Sequence, residues 1–240
     1  GMILSIVTGT WNRIRYLQRM IISARARIPR GLSYEIIVVD GGSTDGTLVW
    51  LKQQPDVRLI EHGGLLGALR AFTEGALAAS GEYVLLANDD IEFVANGILK
   101  AIVHLETHPT CGAVAFADNR PVEGYPDGYK VQGISAVQNG KRISVPYAQV
   151  GLYRKALGDI IGWWGWNDEI MRKSRTYGGD SWLSAQIWER GFTVDPVDDV
   201  MINDLIVPDA LREMNRADAM ANKSAYYEYY PNGVPLPDRL

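Results

Sequence analysis

The 240-residue chain has a single cysteine, Cys111, and only three histidines. A lone cysteine excludes an intramolecular disulfide, and no Cys/His spacing predicts a zinc site. The chain also lacks the basic region and apolar stretch of a signal peptide, and no run approaches the roughly 20 apolar residues of a membrane span. We therefore expect a cytoplasmic protein from a reducing compartment.

Basic runs are scarce as well, and the formal net charge is -4 with a pI of about 5.4. A nucleic-acid partner usually requires a basic face, so we expect no nucleic acid to bind. Hydrophobic residues make up 47% and charged residues 22%, which is typical of a globular protein. The length fits one large α/β domain, or a domain with a small lobe.

Short apolar runs alternate with helical patterns in the first half of the chain. Strands are predicted at 3–8, 34–39, 57–60, 83–87 and 113–116, and helices after Trp11 and at 44–54, 66–80 and 98–107. This order predicts an α/β fold with a doubly wound, mostly parallel sheet and helices on both faces. Residues 118–145 are rich in Gly, Pro and Asn and predict loops and hairpin strands.

Acidic residues follow two of the predicted strands. Asp40 closes the second strand, and Asn88-Asp89-Asp90 closes the fourth. Either motif alone fits an ordinary turn, with Ser43 as a helix N-cap in the first case. Ligands of open parallel sheets bind at the carboxyl ends of the strands, however, and Mg²⁺ takes one or two carboxylates plus substrate phosphates. Together the two motifs predict a site for a nucleotide diphosphate bridged by a metal.

Three segments resemble family 2 glycosyltransferases, in order and spacing, over residues 3–116. They are LSIVTGTWNR at 4–13, EIIVVDGGSTDGT at 35–47 and ASGEYVLLANDD at 79–90. The resemblance implies a GT-A fold, a Rossmann-like sheet with a smaller acceptor-side region. It divides the chain into a donor-binding half at 2–117, an acceptor-binding and catalytic half at 118–215 and a C-terminal arm at 216–240. The arm would pack on the body or on a second copy in a homodimer.

The resemblance also implies roles for residues of the first half. Asp40 would bind the nucleobase, Asp90 would ligate Mg²⁺ or Mn²⁺ from the position of the family's DXD motif, and Asn88 would bind a ribose hydroxyl. The donor-binding set implied by the family is Thr8, Thr10, Asp40, Gly42, Asn88 and Asp89, and Arg70 is added from the third predicted helix, which departs from the family's pattern. Arg70 would reach a phosphate, although a solvated arginine on the helix surface is the alternative.

The second half matches the family less closely. Asp180 aligns with the family's catalytic base, while Gly179 replaces the usual Glu. A helix N-cap is the alternative for Asp180, and Asp168 and Glu169 are reserve candidates for the base. The family's late metal-binding His is missing. Asn203-Asp204 stands in its place, and Asn203 would complete the metal site through an oxygen.

The predicted function is therefore inverting, metal-dependent transfer of a hexose from a UDP-, GDP- or dTDP-sugar to a glycan, lipid-linked or protein acceptor, as in polysaccharide biosynthesis. Family members often work beside membranes, which suggests peripheral contact with the inner membrane face. Trp163, Trp164 and Trp166 form an acceptor platform or, for at least two of them, pack in the core. A non-catalytic nucleotide-sugar binding module and a sugar nucleotidyltransferase are alternatives. The nucleotidyltransferase is less favoured because its phosphate loop needs more glycines.

Overall fold

The computed structural model describes residues 1–119, 131–205, 208–221 and 225–238, so part of the loop region predicted at 118–145 lies outside the described residues. The strands are β1 Leu4–Thr10, β2 Tyr34–Asp40, β3 Val57–Glu61, β4 Tyr83–Leu86, β5 Ile91–Phe93, β6 Cys111–Asp118, β7 Gly133–Gln138, β8 Lys141–Pro146, β9 Gly151–Arg154, β10 Thr193–Asp204 and β11 Val234–Pro235. The helices are α1 Ile14–Arg27, α2 Thr47–Leu51, α3 Ala68–Ala78, α4 Gly97–Thr107, α5 Lys155–Ile161, α6 Gly179–Glu189, α7 Ala210–Ala221 and α8 Tyr226–Tyr229, and a short 3₁₀ helix spans Met171–Lys173.

Eight strands form the main sheet, in the order β3-β2-β1-β4-β9-β6-β10-β5. Parallel pairs join β1 to β2 and β4, β2 to β3, and β6 to β10, whereas β9 and β5 run antiparallel to their neighbours. The mostly parallel sheet predicted from the sequence is confirmed. The carboxyl ends of β1, β2, β4, β6 and β10 consequently meet at one edge.

The apolar runs are buried on both faces of the sheet. Ile36 and Val38 pack with Leu17 of α1 and Ile102 of α4, whereas the intervening Ile37 packs with Phe72 of α3 in a second cluster. Successive strand residues point to opposite faces, so helices must cover both. The predicted placement of helices on both faces is confirmed.

A second, smaller sheet is built from β11, β7 and β8. The β7–β8 hairpin turns at Asn139-Gly140, whose positive φ angles of 49° and 74° are those a two-residue hairpin loop favours. β11 comes from the predicted C-terminal arm and pairs parallel with β7. The described arm residues 225–238 thus pack on their own chain, and association of two copies stays a prediction. The predicted boundary between a donor-binding and an acceptor-binding half at residue 117 also stays a prediction. Two strands of the predicted second half, β9 and β10, belong to the main sheet.

Several element boundaries differ from the predicted ones for backbone reasons. The helix predicted at 44–54 is only Thr47–Leu51, because Gly46 just before it has a φ of 93°. α3 begins at Ala68, since Gly67 has a φ of 94° and is held against the carbonyl of Arg175. Within the described ranges, no helix has the length and apolar character needed to cross a membrane.

Candidate active site

A cavity of about 970 Å³ opens where the carboxyl ends of the strands meet. That volume is in the range of small-molecule sites. The polar and charged residues that line it and carry the argument below are Thr10, Arg13, Asn88, Asp89, Asp90, Asp180, Asp204 and Arg212. They come from β1, from the N-cap of α1, from the loop after β4, from α6, from the end of β10 and from α7. The cavity therefore joins residues from both halves of the sequence.

Asp40 ends β2 and is buried, and it is not itself among the residues that line the cavity. Its Oδ1 accepts the N–H groups of Gly42 and Ser43 at 2.8 and 2.9 Å. Its Oδ2 is buried and has no hydrogen-bond partner among the described residues, while the adjacent Val39 and Gly41 line the cavity. A buried acceptor without a donor costs about 1–3 kcal/mol, so this oxygen suits a ligand N–H group.

Gly42 shapes the turn after β2 and is not among the cavity-lining residues. Its φ is 91°, and a Cβ there would lie 3.1 Å from the backbone of Gly63 and Gly64. Any other residue would be strained and crowded at this position. Gly42 therefore holds the loop that presents Asp40, without facing the cavity itself.

Asp89 is buried at the floor of the cavity between two donors. Thr10 Oγ1 and Arg13 Nη1 each donate to one of its oxygens at 2.8 Å. Burial raises the pKa of Asp89 to about 6, and the charge of Arg13 opposes this rise. Thr8 lies two residues further from the strand end. It is fully buried, donates to the Gly9 carbonyl and is not among the lining residues, so the structure does not bring it to the predicted nucleoside pocket.

Asp90 lies beside two arginines that the sequence interpretation did not include. Its Oδ2 accepts a hydrogen bond from Arg212 Nη2 at 3.0 Å and lies 3.4 Å from Arg13 Nη1. Arg13 also donates from Nε and Nη2 to both oxygens of Asp209, at 2.6 and 2.9 Å. Burial lowers the pKa of Arg13, but Asp209, Asp89 and Asp90 together raise it above its ordinary value. Arg13 thus links the acidic motif after β4 to the start of α7.

The structure places Asp204, and not Asn203, at the cavity. β10 pairs antiparallel with β5, with Asn203 opposite Glu92 and Asp204 opposite Ile91, the residue after Asp90. Neighbouring strand residues face opposite sides, so only one of the two can reach the site. Asp204 lines the cavity and Asn203 does not. Asn203, which the sequence predicted to complete the metal site, therefore lies away from the cavity, and Asp204 is the residue of this pair that lines it.

Asp180 lines the same cavity from the first turn of α6. The N-cap of this helix is Gly178, which makes no side-chain cap, so the N-cap alternative for Asp180 is wrong. The Asp180 carboxylate accepts the N–H of Ser181 at 2.8 Å. Burial raises its pKa to about 6, which suits a group that takes up a proton near neutral pH.

Gly179, which replaces the family's usual Glu, is fixed by the packing of Trp164. A Cβ at Gly179 would lie 2.7 Å from three atoms of the Trp164 side chain. Trp164 stacks on Phe72 with ring centroids 4.1 Å apart and also lines the cavity. The larger side chain of a Glu would therefore displace an aromatic wall of the site.

The reserve candidates for the base lie elsewhere. Asp168 accepts the N–H groups of Ile170 and Met171 and the hydroxyl of Tyr229, which makes it a turn-stabilising residue. Glu169 is exposed, and neither residue is among those lining the cavity. Of the three candidates for the base, the structure brings only Asp180 to the acidic cluster after β4.

Arg70 is also outside the cavity lining. Its Nε donates to Glu74 at 2.7 Å, and its guanidinium lies 5.6 Å from the centre of the Trp166 ring. The alternative, an arginine on the helix surface, describes it better than phosphate binding.

Trp163 and Trp164 are both buried, which confirms that at least two of the three tryptophans pack in the core.

The family model described as glycosyl transferase family 2 matches residues 5–163, more than half of the chain. The chain belongs to this family. Among curated relatives of this glycosyltransferase, the uncharacterized glycosyltransferase YwdF of Bacillus subtilis (strain 168) is 29% identical over 190 residues, covering 72% of this chain and 69% of YwdF. The uncharacterized protein y4gI of Sinorhizobium fredii is 33% identical over 118 residues, covering 47% of this chain and 13% of y4gI.

Solved structures share the fold of this family 2 glycosyltransferase. The mannosyltransferase PcManGT from Pyrobaculum calidifontis, in complex with GDP-Man and Mn²⁺, superposes with a TM-score of 0.70 at 19% identity, covering 98% of this chain and 65% of that one. S. aureus TarS 1–349 in complex with UDP superposes with a TM-score of 0.63 at 17% identity, covering 91% and 65%. The predicted GT-A fold is confirmed. The chain spans just under two thirds of each of these solved chains.

The donor atoms at the cavity floor of this glycosyltransferase fit a hard divalent cation. Asp90 directly precedes β5 and Asp204 ends its antiparallel neighbour β10, and the Leu205 N–H donates to the Asp90 carbonyl at 2.9 Å, which holds the two segments together. Carboxylate oxygens are the ligands that Mg²⁺ and Mn²⁺ prefer. In the described arrangement the Asp90 carboxylate is paired with Arg212, so an ion would replace one positive charge with another.

Proposed function

We propose that this glycosyltransferase moves a sugar from a nucleotide diphosphate donor to an acceptor hydroxyl with inversion at the anomeric carbon, assisted by Mg²⁺ or Mn²⁺. The observation that carries the proposal is that Asp180 and the Asn88-Asp89-Asp90 motif line one cavity. The nucleotides bound in the two solved structures of the same fold, GDP-Man and UDP, support a donor of this class.

The nucleoside would lie between β1 and β2. Asp40 Oδ2, which is buried and has no hydrogen-bond partner in the part of the chain that the structure describes, would accept an N–H of the nucleobase. Thr10 lines the cavity nearby, and Asn88 is exposed at its wall, from where its amide would bind a ribose hydroxyl. A buried acceptor that is satisfied only by the ligand favours nucleotides over ligands without a ring N–H.

The diphosphate would lie over Asp90 and Asp204, which would hold the cation. A bound Mg²⁺ or Mn²⁺ would offset the negative charge that develops on the departing diphosphate. Arg212, released from Asp90, would be placed to bind a phosphate oxygen, since guanidinium groups suit phosphate.

The acceptor would approach from the side of α6. Its hydroxyl oxygen forms a bond to the anomeric carbon as the bond from that carbon to the diphosphate oxygen breaks, and the bonding pair leaves with the diphosphate. Asp180 takes up the hydroxyl proton. Because one displacement occurs from the face opposite the leaving group, the configuration inverts. Trp164, at the cavity wall, would support the acceptor, whether it is a glycan, a lipid-linked glycan at a membrane surface or a protein.

The test is release of nucleoside diphosphate from UDP-, GDP- and dTDP-sugars with Mn²⁺ across an acceptor screen. A positioned base contributes about 10²–10⁴-fold, so Asp180→Asn should reduce turnover by that factor while leaving donor affinity within about threefold. Asp168→Asn is the matched control. It retains an oxygen for the Ile170 and Met171 N–H groups, and it should keep most activity.

A non-catalytic binding module is the alternative, and Gly179 in place of the usual acid favours it. In that case the chain would bind a donor by calorimetry, but no acceptor would raise diphosphate release above that of Asp180→Asn. Equal turnover in wild type and Asp180→Asn would refute the assignment of the base.

A further inference from the structure

A second group of metal-ligating side chains lies at the opposite edge of the main sheet. It consists of His104 in the last turn of α4, Cys111 at the start of β6 and Asp195 in β10. β6 runs from Cys111 to Asp118, whose carboxylate lies 3.4 Å from the Asp204 N–H at the donor cavity. At about 3.3 Å per residue the group is on the order of 20 Å from that cavity. It cannot share a ligand with Asp90.

A β-bulge brings these side chains to one face. Cys111 pairs with Thr193, and the next pair is Ala113 with Val194, so Gly112 is an extra residue in β6. Cys111 and Val114 therefore pack on the same side of the sheet, in the cluster under α4, instead of alternating. Asp195 lies opposite Val114 and shares this side. Bulges commonly re-aim side chains in this way.

The three donor atoms converge. One ligand atom from each residue lies within 4.8 Å of the other two, and His104 Nε2 is 2.7 Å from Asp195 Oδ2. Ligand atoms around a tetrahedral zinc ion are about 3 to 4 Å apart, so binding requires only a small opening of the His–Asp pair. His108 stacks on His104 with ring centroids 3.9 Å apart and restricts its orientation.

We propose that His104, Cys111 and Asp195 form a second, structural metal site that takes Zn²⁺. A thiolate, an imidazole and a carboxylate form the donor set of zinc, in contrast to the oxygen donors of the donor cavity. Cys111 is fully buried, but the side chains of His104 and Asp195 are 18% and 28% exposed, which leaves an open side for entry of the ion and for a water as fourth ligand. The ion would fasten α4 to β6 and β10.

Without a metal, the same residues form a His–Asp ion pair beside a buried thiol. Metal binding through the thiolate distinguishes the proposed site from that ion pair. The full chain is stripped with EDTA, loaded with Zn²⁺ or Co²⁺ and gel-filtered. We expect the wild type to retain about one ion per chain more than Cys111→Ser and, with Co²⁺, to show a near-ultraviolet thiolate-to-metal charge-transfer band, because only Cys111 supplies a thiolate.

Three variants and one control make the result specific. Cys111→Ser should abolish the charge-transfer band, and His104→Gln and Asp195→Asn should weaken Co²⁺ binding by at least about tenfold. Asp198→Asn, an exposed acid of the same strand, should bind as the wild type does. Circular dichroism confirms that each variant is folded. Co²⁺ bound without a thiolate band, no retained metal, or unchanged affinity in Asp195→Asn would overturn the site. None of these measurements depends on transferase activity.

Discussion

Burial of the Asp180 carboxyl raises its pKa to about 6, and this has a direct consequence for activity. A general base accepts a proton only when it is ionised. We therefore expect kcat/KM to rise with pH and to level off above about pH 7, with an apparent pKa near 6. A profile that is flat, or that reports a value near 4, would contradict the assignment.

The stability of the Asp180→Asn variant is the control for the pH profile of kcat/KM. Because its folded-state pKa lies above the unfolded value near 3.8, Asp180 binds a proton more readily in the folded chain between about pH 4 and 6, and its contribution to the stability of the wild type falls over that window as pH rises. Asp180→Asn removes this cost, so at neutral pH it should melt at the same or a higher temperature than the wild type. A variant that is inactive but at least as stable separates a catalytic role from a structural one.

At the residue scale, the sequence predicts groups that follow strands and misses groups that meet through the fold. Asp40, Asp89 and Asp90 could be placed because each follows an apolar strand. Arg212 could not, since its contact with Asp90 joins residues 122 positions apart. The choice between Asn203 and Asp204 depended on which of two adjacent side chains faces the cavity, and only the register with β5 decides that.

At the scale of elements, β10 also depends on contacts that its own sequence does not reveal. Its sequence TVDPVDDVMIND holds four aspartates and a proline, so neither an apolar run nor clean alternation predicts a strand. Pairing with β6 on one side and β5 on the other stabilises it. By contrast β2 and β4 are continuous apolar runs buried on both faces, and their predicted limits are within one residue of those observed.

Helix α7 contributes a prediction of its own. Asp209 accepts the Arg212 N–H at 3.0 Å at the start of this helix, and the Arg212 side chain occupies the Asp90 oxygen that a cation would take. The Arg212 side chain therefore competes with the cation for Asp90, and its removal should raise the affinity of the donor cavity for Mn²⁺. We expect Arg212→Gln to lower the Mn²⁺ concentration for half-maximal nucleotide binding by about three- to tenfold, as loss of an ion pair of about 1 kcal/mol predicts.

Arg216→Gln is the matched control for α7, since Arg216 is an exposed arginine one turn further along and does not line the cavity. It should leave the Mn²⁺ dependence unchanged. If Arg212→Gln instead raises the Mn²⁺ requirement, the phosphate contact proposed for Arg212 outweighs its competition with the ion. Nucleotide affinity measured with excess Mn²⁺ isolates the phosphate contact, because competition for Asp90 has no effect once the ion saturates its site.

At the scale of the whole molecule, the donor cavity joins β1 and the loop after β4 to α6, β10 and α7, so a ligand bound there ties both halves together. A ligand at a hundredfold excess over its Kd stabilises the native state by about 2.7 kcal/mol. For a chain of this size that corresponds to a rise in melting temperature of about 5 to 10 °C. We expect the rise with GDP or UDP to require Mn²⁺ and to disappear in Asp90→Asn.

Two metal sites would complicate that measurement, because EDTA would also strip an ion from His104, Cys111 and Asp195. The Asp195→Asn background removes this contribution, so a Mn²⁺-dependent nucleotide shift that persists there belongs to the donor cavity alone. If the shift is lost in Asp195→Asn but retained in Asp90→Asn, the divalent ion acts through the far edge of the sheet, and Asp90 does not hold it. A shift of the same size with and without Mn²⁺ would mean that the nucleotide binds through Asp40 and the arginines, with no metal between it and the protein.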